Sequence, residues 1–200
     1  KKKKLLITGS EGFIGSHLVE ALIKKNFIVT CLVQYNSFNK TGWLNSDLKK
    51  KFKNLRIVFG DIRDTEQMLN IVKNQEIVIN LAALIGIPYS YKSSRSYFET
   101  NVMGLMNILE ASKIKKVKKI IHVSTSEVFG SPQYLPIDEK HRFFSQSPYA
   151  ASKASADQLA LSYFNSFNLP VVIVRPFNMF GPRQSLRAVI PTLITQYLNK

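Results

Sequence analysis

Cysteine is nearly absent from these 200 residues: Cys31 stands alone, which excludes an internal disulfide. A chain without disulfides suits a reducing compartment, and a cytoplasmic location is the expectation. Long apolar runs are missing too. Leu5-Leu6-Ile7 follows four lysines and stops at Thr8-Gly9, too short for a signal-peptide core. No later segment approaches the ~20 apolar residues of a membrane span. Metal ligands are sparse, since His17, His122 and His141 have no partners at ligand spacing, so no metal site is expected. Acidic residues are few, 13 against 28 basic, for a net charge of +15. A charge of that size can serve nucleic acid or an anionic membrane surface. Here, however, the lysines form short clusters at 1–4, 49–53 and 113–119, mostly at turns and helix ends, where a solvated lysine is ordinary. The field favours a small phosphate-bearing partner, with neither nucleic acid nor membrane expected.

What the chain does have is alternation. Hydrophobic content of 45% in 200 residues is ample for one buried core. Runs rich in β-branched residues are predicted as strands at 5–8, 28–33, 56–59, 77–81, 119–123 and 171–174. Helical spacing separates them: Ile14, Leu18, Ala21 and Leu22; a segment capped by Thr65 that runs to about Val72; about Ser96 to Lys113; about Pro148 to Phe167; and Pro191 to Asn199. Strands alternating with helices predict an α/β fold, a Rossmann-like doubly wound parallel sheet with right-handed crossovers, as one domain over residues 1–200. The final helix runs into the chain end, which suggests a fragment of a longer two-lobed protein. Cys31, inside a strand, reads as inert core.

The first candidate site is Thr8-Gly9-Ser10-Glu11-Gly12-Phe13-Ile14-Gly15, between a strand and a helix. Gly9 permits the tight turn, Gly12 lets backbone approach a pyrophosphate, and Gly15 lets helix and strand pack closely. The helix N-terminus then offers free N–H groups and the positive end of a dipole. An NAD site of the usual kind closes its second strand with a carboxylate for the ribose hydroxyls. This one ends Leu32-Val33-Gln34-Tyr35-Asn36, with no acid. Gln34 or Asn36 can hydrogen-bond a ribose but neither repels a 2′-phosphate, so these residues leave NAD versus NADP open; NAD is the expected cofactor, with NADP not excluded. Asp61 after the third strand is placed for the adenine edge.

The second candidate site is Tyr149 and Lys153, four residues apart, with Ser124-Thr125-Ser126-Glu127 after the fifth strand. Free tyrosine titrates near pH ~10 and is a poor base at neutrality. A lysine one helical turn away lies on the same face and is expected to lower that value. Tyr149 can then take a hydroxyl proton as hydride leaves the same carbon. Thr125 can hold the reacting oxygen, and Glu127 can remove a proton from a carbon that oxidation has acidified. In parallel sheets ligands gather beyond the strand carboxyl ends, which places both motifs in one crevice.

Together these motifs resemble the extended short-chain dehydrogenase/reductases of the NAD-dependent epimerase/dehydratase family, over nearly the whole chain. Asn80-Leu81-Ala82-Ala83, Asn101, Arg175-Pro176-Phe177-Asn178 and Gly181-Pro182-Arg183-Gln184 extend the likeness. The resemblance implies further cofactor contacts at Phe13, Ile14, Ile62, Leu81, Ala82, Ala83, Asn101 and Pro176, beside those of Tyr149 and Lys153. It implies a nucleoside-diphosphate sugar as substrate, met by Tyr89, Thr125, Asn178 and Arg183, and a homodimer formed through two helices. It also implies that the family's C-terminal substrate region is largely absent from this chain. Many 4,6-dehydratases read Thr-Asp-Glu where this chain has Thr125-Ser126-Glu127. GDP-mannose 4,6-dehydratases and UDP-glucuronate decarboxylases share the serine. The segments Tyr35–Leu44 and Leu84–Tyr91 resemble the N-acetylglucosamine-nucleotide 4,6-dehydratases of legionaminic acid biosynthesis, which more often carry Asp where Asn45 stands. Within them Phe38 and Trp43 read as loop anchors against the sheet, and Tyr89 and Tyr91 suit either a sugar pocket or core packing. The expected reaction is 4,6-dehydration of UDP- or GDP-N-acetylglucosamine, with Ser126 assisting departure of the C6 hydroxyl. A UDP-glucuronate decarboxylase and a 4-epimerase are the rival enzymes, and a cofactor-bound regulator is the rival outside enzymes.

Overall fold

A computed structural model of the chain describes residues 2–44 and 52–199; Asn45 and Lys49 to Lys51 lie outside the described residues. Six parallel strands form one sheet in the order β3-β2-β1-β4-β5-β6. They are β1 Lys4–Thr8, β2 Ile28–Gln34, β3 Leu55–Gly60, β4 Ile77–Asn80, β5 Lys119–Val123 and β6 Val171–Val174. The order reverses between β1 and β4, which opens a crevice at their carboxyl ends. The helices are α1 Phe13–Lys24, α2 Thr65–Val72, α3 Ile87–Ser90, α4 Ser94–Phe98, α5 Gly104–Ile114, α6 Pro148–Phe167 and α7 Val189–Leu198. The doubly wound α/β expectation holds.

Side chains alternate across each strand, and the sheet sorts them into two cores. Leu6, Leu32, Val78 and Ile120 pack with Met68 of α2, Leu105, Ile108 and Leu109 of α5, and Ala156 and Ala160 of α6. Leu5, Ile7, Val29, Cys31 and Val33 pack on the other face with Val19 and Ile23 of α1 and with Leu44. Both faces are covered over β1, β2 and β4, which is why these strands read as unbroken apolar runs, while Val172 and Val174 of the edge strand β6 are exposed. Cys31 is buried core, and burial pushes its thiol up to about 12, far from a reactive thiolate.

Three local expectations change. The α2 cap is Asp64, whose carboxylate accepts from the Gln67 N–H at 2.9 Å. Thr65 is the first helical residue and its hydroxyl donates to Asn107 instead. The helix expected over 96–113 is broken by a π-turn, Glu99–Met103, between α4 and α5. Asn101 sits in that turn and bridges three elements. It accepts from Leu84 N–H at 2.8 Å and donates to Leu84 C=O at 3.0 Å and to the Ser152 hydroxyl at 2.9 Å. Such a bulge is where a helix re-aims a side chain. Finally, Phe38 and Trp43 do not anchor their loop, being 78% and 53% exposed. Leu44, 1% exposed, takes the core position, and Trp43 holds the loop through its backbone N–H on the Glu11 carbonyl at 3.0 Å. Among the described residues no helix is long and apolar enough to cross a membrane.

Candidate active site

The glycine loop closes the end of β1. Gly9 has φ +64, and a Cβ there would sit 2.7 Å from the Ala82 nitrogen, so the turn is both left-handed and pressed on the β4 exit. A Cβ on Gly15 would strike the Gly9 carbonyl and come within 2.7 Å of Ser10 Cα. Gly12 differs: a Cβ there meets only the Gly9 carbonyl at 3.5 Å, so its face is open. Helix α1 has no side-chain cap and no acid in its first turn, which leaves its first N–H groups free for an anionic ligand. These differences predict separable effects. Gly15→Ala should lower stability by about 1–3 kcal/mol through overpacking. Gly12→Ala should keep the thermal midpoint but weaken dinucleotide binding, and thermal melts beside binding titrations check both.

A cavity of about 300 Å³ lies over this loop. Of the expected cofactor residues, Gly9, Gly12, Phe13, Ile14, Gly15, Gln34, Asp61, Ile62, Leu81, Ala82 and Ala83 line it. Leu32, Leu84, Ile85 and Thr100 add to its walls, with Glu11 and Arg63. An apolar slot with an uncapped helix N-terminus at one end fits an adenosine diphosphate moiety. Asp61 is bound twice by Arg63, at 3.0 Å from Nε to Oδ1 and 2.6 Å from Nη2 to Oδ2. That guanidinium holds the Asp61 carboxyl below the usual carboxylate range.

Asn101, Tyr149, Lys153 and Pro176 lie outside the cavity lining. Tyr149 opens α6 behind Pro148, with Ser147 as the helix cap accepting from Ala150 N–H at 3.0 Å. Its ring packs edge-on against Tyr97, centroids 6.2 Å apart. The β5 exit brings Thr125 to it. The Thr125 hydroxyl caps a 3₁₀ turn, Ser126–Phe129, by accepting from Glu127 N–H at 3.2 Å. Ser126 is held through its N–H on the Pro176 carbonyl at 3.2 Å, so Pro176 braces the 3₁₀ turn.

The expected lowering of the Tyr149 phenol is not what the structure shows. Burial raises it, the Thr125 hydroxyl opposes by hydrogen bonding, and the nearby Glu127 and Tyr97 raise it further. Lys153 is spent elsewhere: its Nζ donates to the Val123 carbonyl at 2.9 Å. With only 2% exposure, its ammonium is brought down to about 8, with Asp157 opposing. In this protein, then, the phenol is held protonated.

Beneath the pair runs a buried polar chain that sequence reasoning missed. Thr8 donates to Asn80 at 2.5 Å, and Asn80 meets His122 Nδ1 at 3.2 Å. His122 Nε2 stands 3.6 Å from Asp157 Oδ1, and Asp157 Oδ2 accepts from Arg175 Nε at 2.7 Å. Burial first, then the Lys153 and Arg175 charges, hold His122 well below its ordinary value and hence neutral. The signal was available, since Asp157 follows Lys153 by four residues on one helix face.

The outer residues are less engaged. Tyr89 is 55% exposed, Tyr91 donates weakly to the Gln146 carbonyl at 3.4 Å, and Asn178 is exposed. Arg183 is drawn to α1, donating to Glu20 at 2.6 Å and Ser16 at 3.2 Å. Among the described residues no group of three or more His, Cys, Asp or Glu is placed to hold a metal ion.

Comparison with known proteins decides the family. Residues 6–200 match the family model described as GDP-mannose 4,6 dehydratase. The chain belongs to that family. A dTDP-D-glucose 4,6-dehydratase of Dictyostelium discoideum is 39% identical over 98% of this chain and 48% of its own length. DesIV, a dTDP-glucose 4,6-dehydratase from Streptomyces venezuelae solved with NAD and TYD bound, superposes with a TM-score of 0.90 at 32% identity. That match covers 98% of this chain and 62% of DesIV. A UDP-N-acetylglucosamine 4-epimerase from Methanobrevibacter ruminantium M1, in complex with UDP-N-acetylmuramic acid, matches at the same TM-score, 0.90, with 37% identity over 100% of this chain and 64% of its own. The chain thus spans roughly half to two thirds of these relatives' lengths. Both reaction types within the GDP-mannose 4,6 dehydratase relatives share this scaffold, so chemistry must be argued from the side chains.

Proposed function

We propose that this protein is the nucleotide-binding part of a nucleotide-sugar 4,6-dehydratase. The observation that carries the reading is Thr125, whose hydroxyl serves Glu127 through its N–H and Tyr149 through its phenol. One residue thereby ties the backbone of Glu127 and the phenol of Tyr149 to the same β5 exit. Bound oxidised nicotinamide dinucleotide, NAD as in DesIV, would be held by the glycine loop and would supply the hydride acceptor and a positive charge to the site. That charge is what a buried, protonated tyrosine needs to become a base.

The chain's own residues then act in order. Tyr149 takes the C4 hydroxyl proton while Thr125 keeps the oxygen in place. The C4 ketone acidifies the neighbouring C5–H, and the Glu127 carboxylate removes that proton. Ser126, steadied by Pro176, hydrogen-bonds the departing C6 hydroxyl, which leaves as water with the proton that Glu127 removed; the hydride taken from C4 would return to C6 as the Tyr149 proton is delivered to C5. Lys153, tied to Val123, keeps α6 fixed against the β5 exit and supplies a buried positive charge. Asn101 ties the β4 exit to α6, a positioning role. UDP- or GDP-N-acetylglucosamine as substrate, and the legionaminic acid branch, belong to this reading through the resemblance of Tyr35–Leu44 and Leu84–Tyr91, with exposed Tyr89 and Asn178 open to a sugar nucleotide. Pairing of two copies across α5 and α6 belongs to the same reading, since Ile114, Leu161, Phe164 and Phe167 stand exposed there.

The likeness to the Methanobrevibacter epimerase supports a second reading, 4-epimerisation, which needs Tyr149 but not Glu127. Incubation with UDP- and GDP-N-acetylglucosamine, dTDP-glucose and UDP-glucuronate separates the readings by product mass. Dehydration removes one water. An unchanged mass with an inverted C4 supports the epimerase, and loss of carbon dioxide supports a decarboxylase.

A further inference from the structure

A dinucleotide site of this architecture that takes NAD ordinarily places a carboxylate at the end of β2, and the sequence puts none there. Gln34 ends that strand, and its side chain is neutral. Asn36 is also unavailable. Its amide donates to the Gln34 carbonyl at 3.2 Å and the Lys40 carbonyl at 2.9 Å, while its oxygen accepts from Lys40 N–H at 2.9 Å. Asp61 is an acid in the cavity wall, but Arg63 binds both its oxygens. The remaining acid in that wall is Glu11, within the glycine loop itself.

Glu11 folds back onto the end of β2. Its Oε1 accepts from the Gln34 backbone N–H at 2.9 Å. Its Oε2 is buried with no hydrogen-bond partner. A buried carboxylate oxygen without a donor costs about 1–3 kcal/mol or more, so it marks a place where a donor belongs. The placement is enforced from the other side. Gly42, at φ +56, lies so close that a Cβ there would come 2.6 Å from the Glu11 carbonyl and 2.9 Å from its Cβ. Trp43 N–H holds the same carbonyl. The loop after β2 thus clamps Glu11 into the position that a strand-borne acid would fill.

We propose that Glu11 replaces the missing β2 carboxylate: it accepts the adenosine ribose hydroxyls and makes the site selective for NAD over NADP. The inference rests on the dinucleotide reading above. A ribose diol presents donors to Oε2 and Oε1, whereas a 2′-phosphate brings a second anion against a fixed one. Arg63, the nearby cation that would otherwise welcome that phosphate, is neutralised by Asp61.

The test is equilibrium binding of NAD and of NADP to the protein freed of bound nucleotide, followed by titration calorimetry. The native protein should bind NAD more tightly than NADP. Glu11→Gln, nearly equal in shape, should weaken NAD and strengthen NADP, moving the ratio of affinities by about 10- to 100-fold. A gain in NADP affinity cannot come from misfolding, so the variant is informative even if it loses stability. Glu139→Gln, at an exposed acid outside the cavity wall, should as a control leave the ratio near that of the native protein. An unchanged ratio in Glu11→Gln, or an NADP preference in the native protein, overturns the assignment of Glu11 while leaving the dinucleotide site standing. Binding of neither nucleotide to the native protein overturns both.

Discussion

Tyr149→Phe should reduce turnover by about 10²–10⁴-fold, the usual worth of a positioned proton-transfer group. The fold should survive it. The phenyl ring keeps its edge-on contact with Tyr97, and only the hydroxyl that meets Thr125 is lost. Removing that hydroxyl also removes a buried polar group, so the thermal midpoint should change little. Sugar-nucleotide affinity should be nearly retained, because the phenol acts on the developing charge more than on the ground state. A fall in turnover with an intact melting curve and intact binding is the expected pattern. Equal losses in binding and turnover would mean that Tyr149 merely shapes the pocket.

Glu127→Gln should divide the reaction. The Glu127 carboxylate is exposed and its N–H rests on Thr125, so the substitution leaves the 3₁₀ turn in place. Proton removal at C5 then lacks its base, and release of water should fall by about 10²–10⁴-fold. Oxidation at C4 does not use that carboxylate. Removing its negative charge even eases ionisation of Tyr149, since Glu127 raises the phenol. The expected signature is therefore oxidised sugar and reduced nicotinamide held on the protein, seen by absorbance, with little dehydrated product. Full formation of dehydrated product would remove Glu127 from the mechanism, and a product of unchanged mass inverted at C4 would favour epimerisation.

How much of this was legible beforehand differs from residue to residue. The strands were, because a sheet buried on both faces demands apolar runs at every position, and 28–33 shows one. The glycine loop was, because Gly9 and Gly15 answer steric demands that the structure shows, while Gly12 leaves an open face on the cavity. The role of Glu11 was not. Its carboxylate reaches β2 only because the Thr41–Leu44 turn folds against it, and no local pattern encodes that contact. The Tyr149 phenol was misjudged because helical spacing places Lys153 on the same face without saying what it binds. Val123 takes its proton donor, and burial outweighs the rest. The π-turn at Asn101 was hidden likewise, since hydrophobic spacing alone runs through it as one helix.

The buried chain from Thr8 through Asn80 and His122 to Asp157 and Arg175 shows what the fold contributes beyond position. Asp157 is raised by burial, with Ser124 and Arg175 opposing, so it stays in balance between two cations, Lys153 and Arg175. Breaking one member of such a group leaves an uncompensated charge. Lys153 is held by its hydrogen bond to the Val123 carbonyl, and the Asp157 charge opposes the lowering that burial imposes on it.

The central claim is that hydride leaves C4 and returns at C6 within one turnover. The direct measurement uses the reactive sugar nucleotide carrying deuterium at C4, with the product read by mass and proton resonance. The account predicts one water lost and the deuterium found on C6. Deuterium retained at C4 in a product of unchanged mass, or carried into solvent, contradicts it.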